Sequence, residues 1–162
     1  MNELADFTKK WCLDTHPPTP VLRERLDEAE SQLGVNFPND YRFQILSVGL
    51  PSPTLALLSA ISDHDIDMHD LSSLYQPDEL VSVTRGWREI GMPEHLVAIG
   101  GDSFGSHFCF DERDLKNGKL AKSPVYHWDH DFDYTENVAP SFSAWIGKYL
   151  TGWSDGIGAS DF

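Results

Sequence analysis

Residues 96–111, LVAIGGDSFGSHFCFD, place two short apolar runs on either side of a glycine-rich turn. Residues 96–99 are apolar throughout, and residues 107–111 alternate as a strand does. A glycine-containing turn between two such runs is typical of a β-hairpin. The stretch therefore predicts two antiparallel strands, around which the other elements must pack.

Four other segments carry the signals of helix ends. Thr19 as N-cap and Pro20 at the first helical position begin a helix that Gly34 ends. Its apolar side chains recur at the period of one helical face and are Leu22, Leu26, Ala29 and Leu33. Further helices are predicted over residues 38–48, over residues 77–90 with Ile90 facing inward, and over residues 142–150 with Ser141 as cap.

The remaining segments read as strand, turn and tail. Residues 55–61 are apolar and bounded by turn residues, which favours a strand, although the length also permits a buried helix. Asn117-Gly118 predicts a tight turn before a strand at residues 124–128. The glycine-rich residues 151–162 are expected to form a loose C-terminal tail.

Consecutive strands flanked by helices indicate an α+β fold. We expect a single domain over residues 1–162, with a core at about residues 19–150. Its central sheet should be mostly antiparallel, with helices packed at the N- and C-terminal ends.

The charge is strongly negative, with 12 Lys and Arg against 26 Asp and Glu and a net charge of −14. Such a chain is repelled by nucleic acid and by anionic membranes, so neither is expected as a partner. The charge could serve solubility alone, or it could attract a basic protein partner by long-range steering. Composition does not choose between these two readings.

The chain lacks an apolar run of the ~20 residues that cross a bilayer, and its first residues lack the apolar region of a signal peptide. We therefore expect a cytoplasmic protein. Its two cysteines, Cys12 and Cys109, are expected to be buried and reduced.

Two acidic runs stand out, DHDIDMHD at residues 63–70 and YHWDHDFD at residues 126–133. Lys and Arg are missing from residues 127–140. If the protein binds a cationic surface, these runs and the glutamate after the second are the candidate contacts. The candidate partner-binding residues are Asp63, Asp65, Asp67, Asp70, Asp129, His130, Asp131, Asp133 and Glu136.

The same runs invite a metal-binding reading. Both begin with the D-x-D-x-D of an EF-hand loop, but that loop also needs glycine at its sixth position and glutamate at its twelfth. The sequence offers Met68 and Leu74 in the first run and Tyr134 and Pro140 in the second. An irregular calcium site stays an alternative, and no metal or other cofactor is expected.

Residues 101–105, GDSFG, satisfy the G-x-S-x-G pattern of serine hydrolases, with Ser103 as the nucleophile. That motif needs a helix after the serine, whereas the residues that follow alternate as a strand. Asp129 and His130 supply the residue types of a catalytic triad with Ser103, but the sequence pattern gives no further support for one. A hydrolase using Ser103 is therefore the alternative function, and the main expectation is that the protein is not an enzyme.

Four segments, in order, resemble the SUKH superfamily. They are EAESQLGVNFPNDYRFQIL, MPEHLVAIGGDSFGSHFCFD, SPVYHWDHD and VAPSFSAWI. The first matches a helix with E-x-x-L-G followed by L-P-x-D-Y, and the second matches an I-G-x-D-x-x-G-x-x-F-x-x-D hairpin. The third is similar to a V-Y-x-W-D-H strand and the fourth to an A-x-S-F helix. The resemblance spans roughly residues 22–150, whereas the run at residues 63–70 has no counterpart in the pattern.

The resemblance implies an α+β binding domain without catalytic activity. Many bacterial members are immunity proteins of polymorphic toxin systems, which bind and block a cognate toxin that is often a nuclease. Fungal relatives are regulators of cell-wall synthesis, so a regulatory protein-binding module is a further alternative. The hypothesis that combines resemblance and charge is an immunity protein that neutralises a toxin through its acidic surface.

Overall fold

The computed structural model describes residues 2–116 and 118–161, and within them the chain forms seven helices and a five-stranded sheet. The helices are α1 (Glu3–Trp11), α2 (Arg23–Leu33), α3 (Asn39–Val48), α4 (Ala56–Asp63), α5 (Pro77–Glu89), α6 (Glu112–Leu115) and α7 (Phe142–Gly147). The strands are β1 (Ser73–Leu74), β2 (Leu96–Gly101), β3 (His107–Asp111), β4 (Val125–Asp129) and β5 (Tyr134–Ala139). The α+β prediction is confirmed.

The sheet is an antiparallel meander in the order β1-β2-β3-β4-β5. The predicted hairpin is its centre, with Leu96 opposite Asp111 and Gly101 opposite His107. β3 then pairs with β4, so that His107 lies opposite Trp128. Because consecutive strands are antiparallel, the β2–β3 and β4–β5 turns lie at the same end of the sheet, whereas the connection through α6 lies at the other end.

Helices cover both faces of the sheet, which is why β2 and β3 are buried along their whole length. On one face, Phe108 packs against Trp145 of α7 and Phe110 against Tyr41 of α3. On the other face, His107 lies against Trp87 of α5, and α2 packs on α5. The alternation of β3 thus assigns Phe108 and Phe110 to one layer and His107 to the other.

Several local predictions need correction. Residues 56–61 belong to helix α4 rather than to a strand, with Leu55 at the N-cap position, because Ala56, Leu57, Ala60 and Ile61 form one buried helical face. Thr19 pairs with Leu50 instead of capping α2, which begins at Arg23. Ile90 is exposed, since α5 ends at Glu89. Gly34 does end α2 in a left-handed conformation, as predicted.

Both termini belong to the packed structure. Leu4, Phe7 and Trp11 of α1 are fully buried, so the apolar core begins well before residue 19. Residues 151–161 form two 3-10 turns rather than a loose tail, because Trp153 stacks on Trp11 and Ser154 is fully buried. Cys12 and Cys109 are buried free thiols, as expected. Asn117 of the predicted Asn-Gly turn lies outside the described residues.

Candidate functional site

The turn between β2 and β3 is organised by the buried carboxylate of Asp102. Its Oδ1 accepts hydrogen bonds from the backbone N–H groups of Phe104 (2.9 Å) and Ser106 (3.0 Å). Its Oδ2 accepts from Nε2 of His127 at 2.8 Å. Burial works to raise the pKa of Asp102, but these hydrogen bonds outweigh it and hold the pKa below its usual value. The turn is therefore fixed around a charged group.

The first acidic segment, residues 63–67, leads from the end of α4 and leaves three carboxylates exposed. They belong to Asp63, Asp65 and Asp67. Asp65 adopts a left-handed backbone (φ 49°), which Asp tolerates better than most residues, so the chain turns sharply there. The three charges consequently lie on a short loop at the surface.

Asp70, a candidate contact from the same run, does not lie on that surface. It is only 4% exposed, and its carboxylate accepts from the backbone N–H of Ser103 at 3.0 Å and from the Ser103 hydroxyl. Its role is to tie the end of the acidic run to the β2–β3 turn. The prediction that Asp70 contacts a partner is corrected for this reason.

The second acidic segment, residues 129–133, forms the turn of the β4–β5 hairpin rather than a free loop. Asp129 pairs with Tyr134 across the turn and accepts from the backbone N–H of Asp131 at 2.9 Å. Asp133 has a left-handed backbone (φ 47°) and accepts from the indole N–H of Trp128 at 2.9 Å. Asp131 keeps 69% of its side chain exposed. The segment is thus a rigid turn that still presents its charges outward.

The β2–β3 turn contacts the end of the first acidic run, at Asp70, and the second acidic segment, at His130. On one side Ser103 binds Asp70. On the other side Ser106 is 3.3 Å from Nδ1 of His130, and a Cβ on Gly105 would come within 3.2 Å of the His130 ring. Gly105 also has a φ of +89°, so glycine is required there on both grounds. The surface of residues 63–67, 102–106 and 129–133 is called the tip surface below.

His69 and Glu136 connect the first acidic run to the far strand of the sheet. Nε2 of His69 donates to Glu136 at 2.9 Å, and the His69 ring stacks on His127 with centroids 3.5 Å apart. The Tyr149 hydroxyl donates to the carbonyl of His69 at 2.8 Å. The Glu136 carboxylate is thus engaged in a hydrogen bond within the molecule. The loop that carries the first acidic run is fixed at His69 by contacts with Glu136, His127 and Tyr149.

Few basic side chains oppose these acids. The sequence has no Lys or Arg in residues 43–84 or in residues 123–147. Among the described residues, the exposed carboxylates of the tip surface form one ion pair, between Asp131 and His130 (3.2 Å), while the buried carboxylate of Asp102 pairs with His127. Lys148 lines a cavity of about 190 Å³ beside Asp67 and Glu136, at the edge of the surface. The tip surface therefore carries uncompensated negative charge.

The environment of Ser103 is unlike that of a hydrolase nucleophile. Its hydroxyl donates to a carboxylate, that of Asp70, and the turn leads into strand β3 rather than into a helix. His130 faces Ser106 instead of Ser103, and Asp129 is engaged in its own turn. In the part of the chain that the structure describes, Ser103 has no histidine base, so the nucleophile elbow is not formed.

Two clusters bring potential metal ligands within 4.8 Å of one another, His69 with Asp102 and His127, and Asp129 with His130 and Asp131. In the first, the two imidazoles stack face to face at an interplanar angle of 4°. A metal lies in the plane of the ring that binds it, so stacked rings cannot both coordinate one ion without turning. The second is a run of neighbouring side chains already bonded within the turn. Neither geometry is that of a metal centre.

Beneath the tip surface, His107 is held as a neutral imidazole. It is 5% exposed, lies against Trp87, and its Nδ1 is 2.8 Å from the Tyr75 hydroxyl. Burial lowers the pKa of His107 to about 4. The His107 imidazole therefore adds no positive charge beneath the carboxylates of the tip surface.

Sequence reasoning named the acids of the tip surface but missed Asp102, which organises its central turn, and His69, which anchors the first acidic run. Asp102 and His69 were not candidates, because their partners lie 25 and 67 residues away in sequence. Phe104, which is 72% exposed at the tip of the β2–β3 turn, was passed over as part of a glycine pattern. The available signal was an aromatic residue in a turn, where a buried role is unusual.

The described helices include none with the length and apolar character needed to pass through a bilayer. A profile of the SMI1/KNR4 family (SUKH-1) matches residues 20–148, which is more than half of the chain. The match covers all five strands and the Asp102 turn. No curated protein matches the sequence.

Proposed function

The chain belongs to the SMI1/KNR4 family (SUKH-1), and from this we propose that it is an immunity protein that binds and neutralises a cognate bacterial toxin. Members of this family are in general immunity or regulatory proteins that act by binding rather than by catalysis. The proposal places the protein in the cytoplasm of the toxin-producing cell. It requires no cofactor.

The observation that carries the proposal is the uncompensated charge of the tip surface. The two acidic runs come from distant parts of the sequence and contact the same β2–β3 turn, through Asp70 and His130, and neither run contains Lys or Arg. A partner of complementary shape must bring cationic side chains to this surface. A nuclease toxin fits this requirement, because the surface with which it binds nucleic acid is itself cationic.

Neutralisation then follows from occupation of the toxin's cationic surface. The negative potential speeds the encounter, and the rigid turns place the carboxylates without further ordering. Bound there, the immunity protein excludes the polyanionic substrate. No bond is made or broken in this mechanism.

The test uses the toxin encoded beside the gene and compares two triple variants of equal charge change. Asp63→Lys, Asp67→Lys and Asp131→Lys alter the tip surface, and Asp14→Lys, Asp78→Lys and Glu89→Lys alter exposed acids elsewhere. We expect the tip variant to lower the association rate constant at least about 10-fold at low salt and to lose protection of cells. The control variant should change the rate constant by less than about 3-fold.

Two results would contradict the proposal. Wild-type protein that neither binds nor protects against the neighbouring toxin would remove the immunity function. Equal association rates for the two triple variants would leave binding in place but would exclude the tip surface from it.

A further inference from the structure

Besides Phe132, which is 83% exposed in the β4–β5 turn, the described residues of the tip surface expose one large apolar side chain, that of Phe104. It stands at the tip of the β2–β3 turn and is 72% exposed. A single exposed apolar residue is ordinary on a protein surface, so exposure alone indicates nothing. What distinguishes Phe104 is the surroundings in which the fold holds it.

A hollow of about 340 Å³ lies beside Phe104. Its apolar wall consists of Leu58 and Ile61 from α4, Met68 from the loop that follows, and the Phe104 ring. The hollow is open to solvent and is wide enough for one or two side chains of a partner, since its volume lies near the lower end of the ~300–1,000 Å³ range of ligand cavities. Ser62, His69 and Asp70 complete the lining of the hollow, and Phe104 together with the hollow is called the apolar centre below.

The backbone that presents Phe104 is fixed before any partner arrives. The N–H of Phe104 is bonded to Asp102, and that of the preceding Ser103 to Asp70. Both acceptors are buried carboxylates, which make strong hydrogen bonds to backbone N–H groups. A partner that covers Phe104 therefore loses little free energy to ordering of the turn.

Charge surrounds the apolar centre. Asp63 and Asp67 are the sequence neighbours of the lining residues Ser62 and Met68, and Asp131 follows His130, which lies against Gly105 in the β2–β3 turn. An apolar centre within a polar rim is the usual anatomy of a protein–protein interface, and binding energy concentrates in the aromatic anchors of that centre. A second copy of this chain would bring the same acids face to face, so charge disfavours it as the occupant.

We propose that Phe104 and the adjoining hollow are the energetic centre of the partner-binding surface. The occupant is a protein that inserts an apolar side chain beside Phe104 and surrounds it with Lys or Arg. This inference rests on the proposed function and adds to it a division of labour: the acids set the association rate, and the apolar centre sets the lifetime of the complex.

The test measures rate constants for the same toxin with Phe104→Ala and Ser62→Phe. Ser62 is exposed and lines the hollow, so a phenylalanine there fills the hollow without disturbing a buried group. Phe43→Ala, at a 62% exposed aromatic on α3, and Ser82→Phe, at an exposed serine on α5, are the matched controls. Thermal unfolding of all four variants identifies any that are misfolded.

We expect each test variant to raise Kd by about 10- to 100-fold, chiefly through faster dissociation and with an unchanged dependence of the association rate on salt. The controls should stay within about 3-fold of wild type. If wild type binds and the tip charge variant associates slowly while Phe104→Ala dissociates as wild type does, the apolar centre is refuted and the proposed function stands. A failure of wild type to bind would refute both.

Sedimentation of the free protein supplies a separate check on the occupant. A monomer is expected at micromolar concentration, because the proposed occupant of the apolar centre is a different protein rather than a second copy of this chain. A dimer that Phe104→Ala dissociates would overturn the proposal, since a second copy would then cover Phe104.

Discussion

The acidic side chains of this protein fall into two regions that differ in what faces them. In the region formed by α2, α6 and the end of β3, carboxylates meet cations: Arg42 binds Glu30 and Asp27, Arg113 binds Asp111, and Arg88 and Lys116 bind Glu112. We call this the ion-paired region. At the tip surface, Asp63, Asp65 and Asp67 have no such partner among the described residues, and Asp131 meets only a histidine.

The difference shows that the charge of this chain serves two purposes. Paired carboxylates in the first region satisfy backbone N–H groups and cations, so they contribute to the stability of the fold. Clustered carboxylates without cations repel one another and lower the stability of the folded state. An arrangement that lowers stability is expected where a binding partner supplies the missing charge.

The largest expected effect of a single substitution lies in the ion-paired region. The Glu30 side chain accepts from the backbone N–H of Phe37 at 2.7 Å and binds the half-buried Arg42. Glu30→Ala should lower the free energy of unfolding by about 3 kcal/mol, because it leaves the N–H of Phe37 without an acceptor and leaves Arg42 with only the exposed Asp27 as a partner. Urea unfolding measures this, with Glu28→Ala on the exposed side of the same helix as control. A loss below about 1 kcal/mol would mean that the two regions do not differ as described.

A second prediction compares two acids from one run, Asp70 and Asp67. Asp70→Ala removes the acceptor of two hydrogen bonds from Ser103 and should lower the free energy of unfolding by about 2 kcal/mol. Asp67→Ala, at an exposed position, should change it by less than about 0.5 kcal/mol. Equal losses in urea unfolding would place Asp67, too, inside the packed structure.

Much of the fold follows from local sequence. Gly34 ends α2, Pro77 begins α5 and Ser141 caps α7, because each signal acts within one turn of chain. Residues 55–61 were misassigned as a strand because their run is apolar almost throughout, although Ala56, Leu57, Ala60 and Ile61 have helical spacing. Strand β5 went unnoticed because its polar residues depend on pairing with β4, which only the folded sheet supplies.

The candidate site was predictable only in part. The exposed acids could be named because their charge is a property of the sequence. That Asp70 is buried, and that both acidic runs meet at one turn, depends on contacts such as the one with Ser103, 33 residues away. Phe104 gains its significance only from the hollow beside it, which is lined in part by α4, a segment for which the sequence favoured a strand over a buried helix.

Lowering the pH should affect the ion-paired region and the residues beneath the tip surface differently. In the ion-paired region, burial works to raise the pKa of Asp111, but Arg113 and the neighbouring N–H hold it below its usual value, so Asp111 stays charged to low pH. Under the tip surface the pKa of His107 lies at about 4, below the 6.5 of a free imidazole. As the pH falls, His107 therefore takes up a proton in the unfolded chain before it does so in the folded protein. The stability that His107 contributes is complete above pH 6.5 and is lost as the pH falls toward 4.

That loss should amount to about 2 kcal/mol, because one pKa unit corresponds to about 1.4 kcal/mol and partial solvent screening reduces the total. Urea unfolding at pH 7, 5.5 and 4.5 measures it. His107→Gln, which keeps a polar group near Tyr75, should flatten the profile across this range. A profile as steep as that of wild type would assign the acid sensitivity to other groups.

The smallest expected effect is a gain in stability rather than a loss, and it tests whether the acids of the tip surface destabilise the fold. Asp63→Asn, Asp67→Asn and Asp131→Asn together should raise the free energy of unfolding by about 0.5–1 kcal/mol at low ionic strength, because they relieve repulsion at the tip surface. Asp63 adds to this, since it places a negative charge in the last turn of α4, where the helix dipole opposes it. In 1 M NaCl the gain should disappear, because the Debye length falls to about 3 Å.

Asp27→Asn, which breaks a pair with Arg42, should give no gain at either salt concentration. A triple variant less stable than wild type would mean that these carboxylates support the fold, and the distinction between the two regions would then be lost.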